Sequence, residues 1–210
     1  GLGLRASSLL VESGASAVFL TSCRGHVARN GQGLEAQLQL MSSIASIVAC
    51  DSVDARDATV MLCARSLTGV LHAAGRLRDR MLRSMFIDDI SASFAPKALA
   101  ASHIHVATAG AVFEVLALFS SVASTFGNIG QANYAAANAY LDCLAARRRL
   151  FACFASSLQI PVVSNTGMAS TVFSAEQLDA AGAISPDMFA TYLSISLAPA
   201  RGATGRTQAL

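Results

Sequence analysis

A chain of 210 residues amounts to one domain of ordinary size and leaves no room for two. Hydrophobic residues make up 53% and charged residues 13%, so the chain can bury a sizeable core and is not of disordered type. A net charge of +2, from 15 basic and 13 acidic residues, gives no electrostatic case for nucleic-acid binding, and no apolar run reaches the ~18 residues of a membrane span.

In chain order, residues 4–13 have helical period and stop at Gly14, and residues 17–21 (AVFLT) read as a buried strand. Residues 44–49 make a second strand, and residues 54–65 a helix with Asp54 or Ser52 near its start. Residues 69–73 make a third strand, running into Ala74 and Gly75. A helical region is expected over 79–107, broken near Pro96, followed by a fourth strand over 115–120 (VLALFS). Residues 131–149 form the best helix, alanine-rich and closed by Arg147, Arg148 and Arg149 at its negative end. A fifth strand is expected over 155–163, one or two helices over 174–197, and an exposed tail over 199–207.

Short β-branched runs alternating with helical segments predict an α/β fold, a doubly wound parallel sheet with helices on both faces. Such sheets bind ligands beyond the carboxyl ends of their strands, which places the turns near Ser22, Asp51, Ala74 and Ser121 under scrutiny.

Five cysteines without a C-x-x-C pair favour reduced thiols in an intracellular, reducing compartment, and His26, His103 and His105 lack partners at metal-ligand spacing. Fourteen of the 15 basic residues are arginine; the remaining one is Lys97. Under such an arginine bias, a position that stays lysine points to a need for a small ammonium group. Gly1-Leu2-Gly3 opens the first helix, where two glycines let an anion approach backbone N–H groups. Ser121 ends a strand, Tyr134 follows 13 residues later near a helix start, and Asn138 lies four beyond it on the same helix face. Packing alone would account for a tyrosine at such a place, and capping for the Ser-Ser pair.

The segment Phe119-Ser-Ser-Val-Ala-Ser-Thr-Phe-Gly-Asn-Ile-Gly-Gln-Ala-Asn-Tyr-Ala-Ala-Ala-Asn138 resembles the ketoreductase domains of modular polyketide synthases, in the short-chain dehydrogenase/reductase superfamily. Gly69-Val-Leu-His-Ala-Ala-Gly75 is similar to that family's strand-and-turn motif, and Phe94-Ala-Pro-Lys97 to its lysine segment. The likeness runs from Gly1 to about Ala169. Ordinary members of the superfamily carry lysine four residues after the tyrosine. Here that position is Asn138, with the lysine moved to Lys97, as in the synthase-embedded branch.

The resemblance implies a Rossmann-type fold and NADPH-dependent reduction of a β-ketoacyl thioester carried on an acyl carrier protein. It implies Tyr134 as proton donor to the ketone and Ser121 as hydrogen-bond donor to the same oxygen. Lys97 would lower the proton affinity of the phenol and hold the nicotinamide ribose, and Asn138 would position a water for proton resupply. Gly1 and Gly3 would end a glycine-rich phosphate loop, Asp51 would contact adenine, and Ala73, Ala74 and Gly75 would let the backbone approach the cofactor. Ser22 and Arg24 would take the 2′-phosphate, with Cys23 standing where the family has a first arginine.

Leu77-Arg78-Asp79 stands where one stereochemical class carries Leu-Asp-Asp, so Asp79 leans the expectation toward a D-3-hydroxy product. Phe126 replaces the tryptophan of the opposite class. The family's tryptophan-bearing segment has become residues 158–168, although Gly167-Met168-Ala169 still matches. Arg76, Arg78, Arg80 and Arg83 are expected to form a solvated helix face, with docking of the acidic carrier protein as the second reading.

The likeness further implies a central strand before Gly1. On that view the 210 residues are a single catalytic domain truncated at the N-terminus and near the C-terminus, unstable by themselves, with other synthase domains beside it. The alternative is a structural ketoreductase-like module that no longer reduces.

Overall fold

A computed structural model describes residues 1–26, 33–110, 114–164, 166, 174, 176, 178 and 182–197. Its elements in order are α1 (Leu2–Glu12), β1 (Val18–Ser22), α2 (Leu34–Leu40), β2 (Ala45–Ala49), α3 (Ala55–Cys63), β3 (Gly69–His72), α4 (Ile87–Phe94), α5 (Ala100–Ala107), β4 (Val115–Ser121), α6 (Ala123–Phe126), α7 (Ala132–Leu150), β5 (Ser156–Ile160) and α8 (Pro186–Leu197). The expected tail over 199–207 and the Gly167-Met168-Ala169 match lie outside the described residues.

All strand pairs are parallel, as the α/β alternation requires. They form two sheets, β1–β2 and β3–β4–β5, so β1 and β3 each pair along one edge among the described residues.

β4 is buried on both faces, which explains its uninterrupted apolar run. Leu116 and Leu118 face α5 and α7, meeting Ile104, Leu141 and Leu144. Phe119 faces the other way, toward Ala6 of α1 and Phe189 and Leu193 of α8. A third cluster joins Val18, Met41 and Ala45 to Leu4, Leu10 and Val11 of α1.

The helix expected from residue 79 begins only at Ile87. Residues 73–81 instead form a strap without regular secondary structure, followed by a short 3₁₀ turn at Leu82–Ser84. Pro96 does not break the helical region. It is absorbed in a wide π turn, Ala95–Leu99, joining α4 to α5. Proline lacks an N–H and crowds the preceding turn, and widening that turn relieves both.

Helix α7 buries Asn133, Tyr134, Ala137, Asn138, Leu141, Leu144, Ala145 and Arg148, a single stripe of helical period. Helix α3 starts where expected, because the Asp54 carboxylate accepts from the Arg56 and Asp57 N–H groups. Helices α2 and α6 were not foreseen; both are short.

Candidate active site

The π turn turns Lys97 inward. Its side chain is 3% exposed, and its Nζ donates to the Phe119 carbonyl at 2.7 Å. The same nitrogen lies 5.3 Å from the centroid of the Tyr134 ring. His72, at the end of β3, holds the turn from behind through Nε2 and the Lys97 carbonyl at 3.0 Å. A carbonyl only accepts, so Nε2 carries the proton, and burial lowers the imidazole to about 4, leaving it neutral.

Burial also lowers Lys97 to about 8, opposed by the negative charge of Asp142. Tyr134 moves opposite to the direction expected from the resemblance. Burial raises its phenol, while hydrogen bonds from the Asn138 and Ser121 side chains pull it back. Desolvation outweighs these two hydrogen bonds to the phenolate. The phenol is therefore fully protonated at neutral pH, a proton store rather than a base.

Ser121 closes β4, and its Oγ accepts from the Ala123 N–H at 3.2 Å, which leaves its own proton to donate. Asn138 is fully buried. Its Nδ2 donates to the Tyr134 carbonyl at 2.8 Å, whereas its Oδ1 has no hydrogen-bond partner among the described residues.

A cavity of about 580 Å³ gathers Lys97, Ser121 and Tyr134 with Gly1, Gly3, Ala73 and Gly75. That is a volume typical of small-molecule sites. A Cβ added at Gly3 would stand 3.3 Å from the Ala73 Cβ, while one at Gly1 would meet nothing within 4 Å. The first turn of α1 thus opens into the cavity without acidic side chains, as an anionic ligand requires.

Ser22, Arg24, Asp51, Ala74, Asn138 and Asp79 do not line this cavity. Ser22 Oγ donates to the His26 carbonyl at 3.1 Å, and Gly25 makes the tight approach to β2 at φ +68°. Arg24 is exposed and makes no ion pair among the described residues. Asp51 accepts from the Val53 N–H at 3.1 Å and also engages the Cys23 thiol, which burial and that carboxylate raise. Asp79 accepts from Gln131 Nε2 at 2.8 Å, beside the start of α7.

The expected solvated arginine face is corrected by the structure: Arg78 and Arg80 both bond the buried carboxylate of Asp89, at 3.1 and 2.9 Å. Sequence reasoning also missed Asp142. Its carboxylate accepts from Ser124 Oγ at 2.6 Å and from Gln159 Nε2 at 2.9 Å, tying α7 to α6 and β5.

A parallel Rossmann-type fold with serine, tyrosine, lysine and asparagine converging beside a glycine-opened cavity is that of a ketoreductase of the short-chain dehydrogenase/reductase type. The chain belongs to the KR domain family, whose model matches residues 1–165. It is 44% identical over 161 residues to polyketide synthase GfsA of Streptomyces halstedii, covering 74% of this chain and 2% of that protein. It is 39% identical over 153 residues to the phenolphthiocerol synthesis polyketide synthase Pks1 of Mycobacterium tuberculosis, whose name marks it as inactive, covering 70% of this chain and 9% of that one. Among solved structures, an A-type ketoreductase from a modular polyketide synthase matches with a TM-score of 0.81 and 34% identity, over 93% of this chain and 43% of that chain. The chain thus spans a small part of each polyketide synthase and under half of the solved ketoreductase.

Proposed function

We propose that this chain is part of one catalytic domain that reduces a β-ketoacyl thioester to the D-3-hydroxyacyl thioester with NADPH. The thioester would be borne by an acyl carrier protein of the same synthase, alongside its other domains, inside a reducing compartment. The observation that carries this reading is the buried Lys97 ammonium beneath Tyr134, with Ser121 at the same cavity wall. The open N-terminus of α1, Gly3 against Ala73, and Gly75 suit the diphosphate; Asp51 would face adenine, and Ser22 and Arg24 the 2′-phosphate.

NADPH supplies the hydride when bound. Tyr134 gives its proton to the ketone oxygen as negative charge develops there. Ser121 donates a second hydrogen bond to that oxygen from a hydroxyl already fixed by Ala123. Lys97 stabilises the phenolate left behind, and the orphan Oδ1 of Asn138 holds the water that restores the proton. In the full-length polypeptide, a β-keto thioester should drive NADPH oxidation and give the hydroxy thioester. Absence of that product with correctly folded protein would refute the reading. Arg24→Ala should raise the Kd for NADPH about tenfold or more and leave NADH unchanged, since one guanidinium–phosphate pair dominates that choice.

The pH profile offers an independent check. Lys97 titrates at about 8, so reduction falls as pH rises past that value and the cation beneath Tyr134 is lost. Asp142 holds the ammonium up; Asp142→Asn should move this alkaline limb to lower pH, read as kcat/KM against pH. His72 stays neutral across the range and does not contribute.

Cys23 supports a second reading, a fold kept for structure alone. Its thiol engages Asp51 where the family has an arginine, which weakens the case for phosphate recognition. Failure of the folded full-length protein to bind NADPH would favour it.

A further inference from the structure

We propose that Asn133 and Asp89 form a buried clasp holding the strap of residues 77–80 against the first turn of α7, which makes both of them positioning residues for the ketone in front of Tyr134. The inference rests on the reductase reading and adds the device that fixes the mouth of its site.

Asn133 is 3% exposed and immediately precedes Tyr134. Its Oδ1 accepts from the Tyr134 N–H at 2.8 Å, one of the donors that a helix start leaves unpaired. Its Nδ2 has two hydrogens, which donate to the Arg78 carbonyl at 2.9 Å and the Asp89 carbonyl at 2.8 Å, with Ser93 Oγ at 3.2 Å sharing one of them. One small amide therefore joins the strap, helix α4 and the backbone of the tyrosine.

Asp89 grips the strap from the other side. Arg78 and Arg80 turn to the Asp89 carboxylate at 3.1 and 2.9 Å, while Asp79 between them turns to Gln131 at 2.8 Å. The Asp89 carboxylate also accepts from the Phe86 N–H at 3.1 Å, anchoring itself to the start of α4. The Arg80 N–H donates to the Gly130 carbonyl at 2.8 Å. Both faces of the strap are held.

This arrangement also accounts for Arg78, which replaces the first aspartate of the Leu-Asp-Asp pattern. A second carboxylate there would face buried Asp89, whereas the guanidinium neutralises it. Leu77 of the strap and Gln131 of α7 line the cavity together with Tyr134. Releasing the strap would therefore change how the ketone is presented, with the sheet and the α1 end left as they are.

The test compares Asn133→Ala and the double variant Arg78→Met/Arg80→Met with the wild type in the full-length protein. The double variant alters half-exposed side chains and keeps an unbranched apolar stem at each position, so it remains informative should Asn133→Ala fold poorly. Amide exchange at Arg80, whose N–H is held by Gly130, should quicken in both variants; unchanged exchange overturns the clasp. With a β-keto thioester, the minor C3 configuration should rise about tenfold and KM more than kcat, while the Kd for NADPH stays within about twofold. Faster exchange with an unchanged configuration ratio and KM overturns the positioning role. A wild type without turnover overturns the reductase reading on which that role depends.

Discussion

Tyr134→Phe should lower kcat for β-keto thioester reduction by about 10²–10⁴-fold, the usual worth of a placed proton donor. The phenol ring is largely buried at the cavity wall, and phenylalanine fills the same space without the hydroxyl. Thermal stability and the Kd for NADPH should therefore stay close to wild type, measured by calorimetry and by fluorescence titration. A variant that keeps its turnover would show that the proton reaches the ketone by another route. Ser121→Ala should act on the same step with about 10²-fold loss, because the remaining donor still reaches the oxygen.

Lys97→Met should separate activity from stability more sharply. Turnover should fall by about 10²-fold or more, as the charge beneath the phenolate disappears. The folded protein lowers Lys97 from an ordinary 10.5 to about 8 through burial, so the native state resists protonation of this group. Below about pH 8 both folded and unfolded states carry the proton, and the native state bears the full cost of burying it. Between about 8 and 10.5 the unfolded chain binds more protons than the folded one, so wild-type stability rises with pH. Across that window wild type should gain up to about 3 kcal/mol on Lys97→Met, which has nothing there to titrate. Urea midpoints at pH 7 and pH 10.5 read this directly. Equal pH dependence in both proteins would mean that Lys97 is not sealed from water.

The parts of this architecture legible in the sequence were those written as unbroken local pattern. β4 reads as a strand because both its faces are buried, and α7 because its buried residues recur at helical spacing. Lys97 stood out as the only lysine in an arginine-rich chain, and the structure brings it beneath Tyr134. The strap was misread as helix for the opposite reason. Arg78, Arg80 and Asp89 look like ordinary surface charges until tertiary packing brings them together. Pro96 was read as a break because its usual effect is local, yet a widened turn absorbed it and directed Lys97 inward. The direction of the Tyr134 shift depends on how completely the folded chain excludes water, which spacing does not encode.

Helix α1 belongs to two cores at once. Ala6, Leu2 and Leu9 pack with β5 and α8, while Leu4, Leu10 and Val11 pack with β1 and β2. The helix thus ties the β1–β2 pair to the β3–β4–β5 sheet, a tie it shares with the packing of α3 against α5. A ligand seated on the first turn of α1 therefore steadies both packing faces of that helix, and amide exchange along α1 should slow as that seat fills.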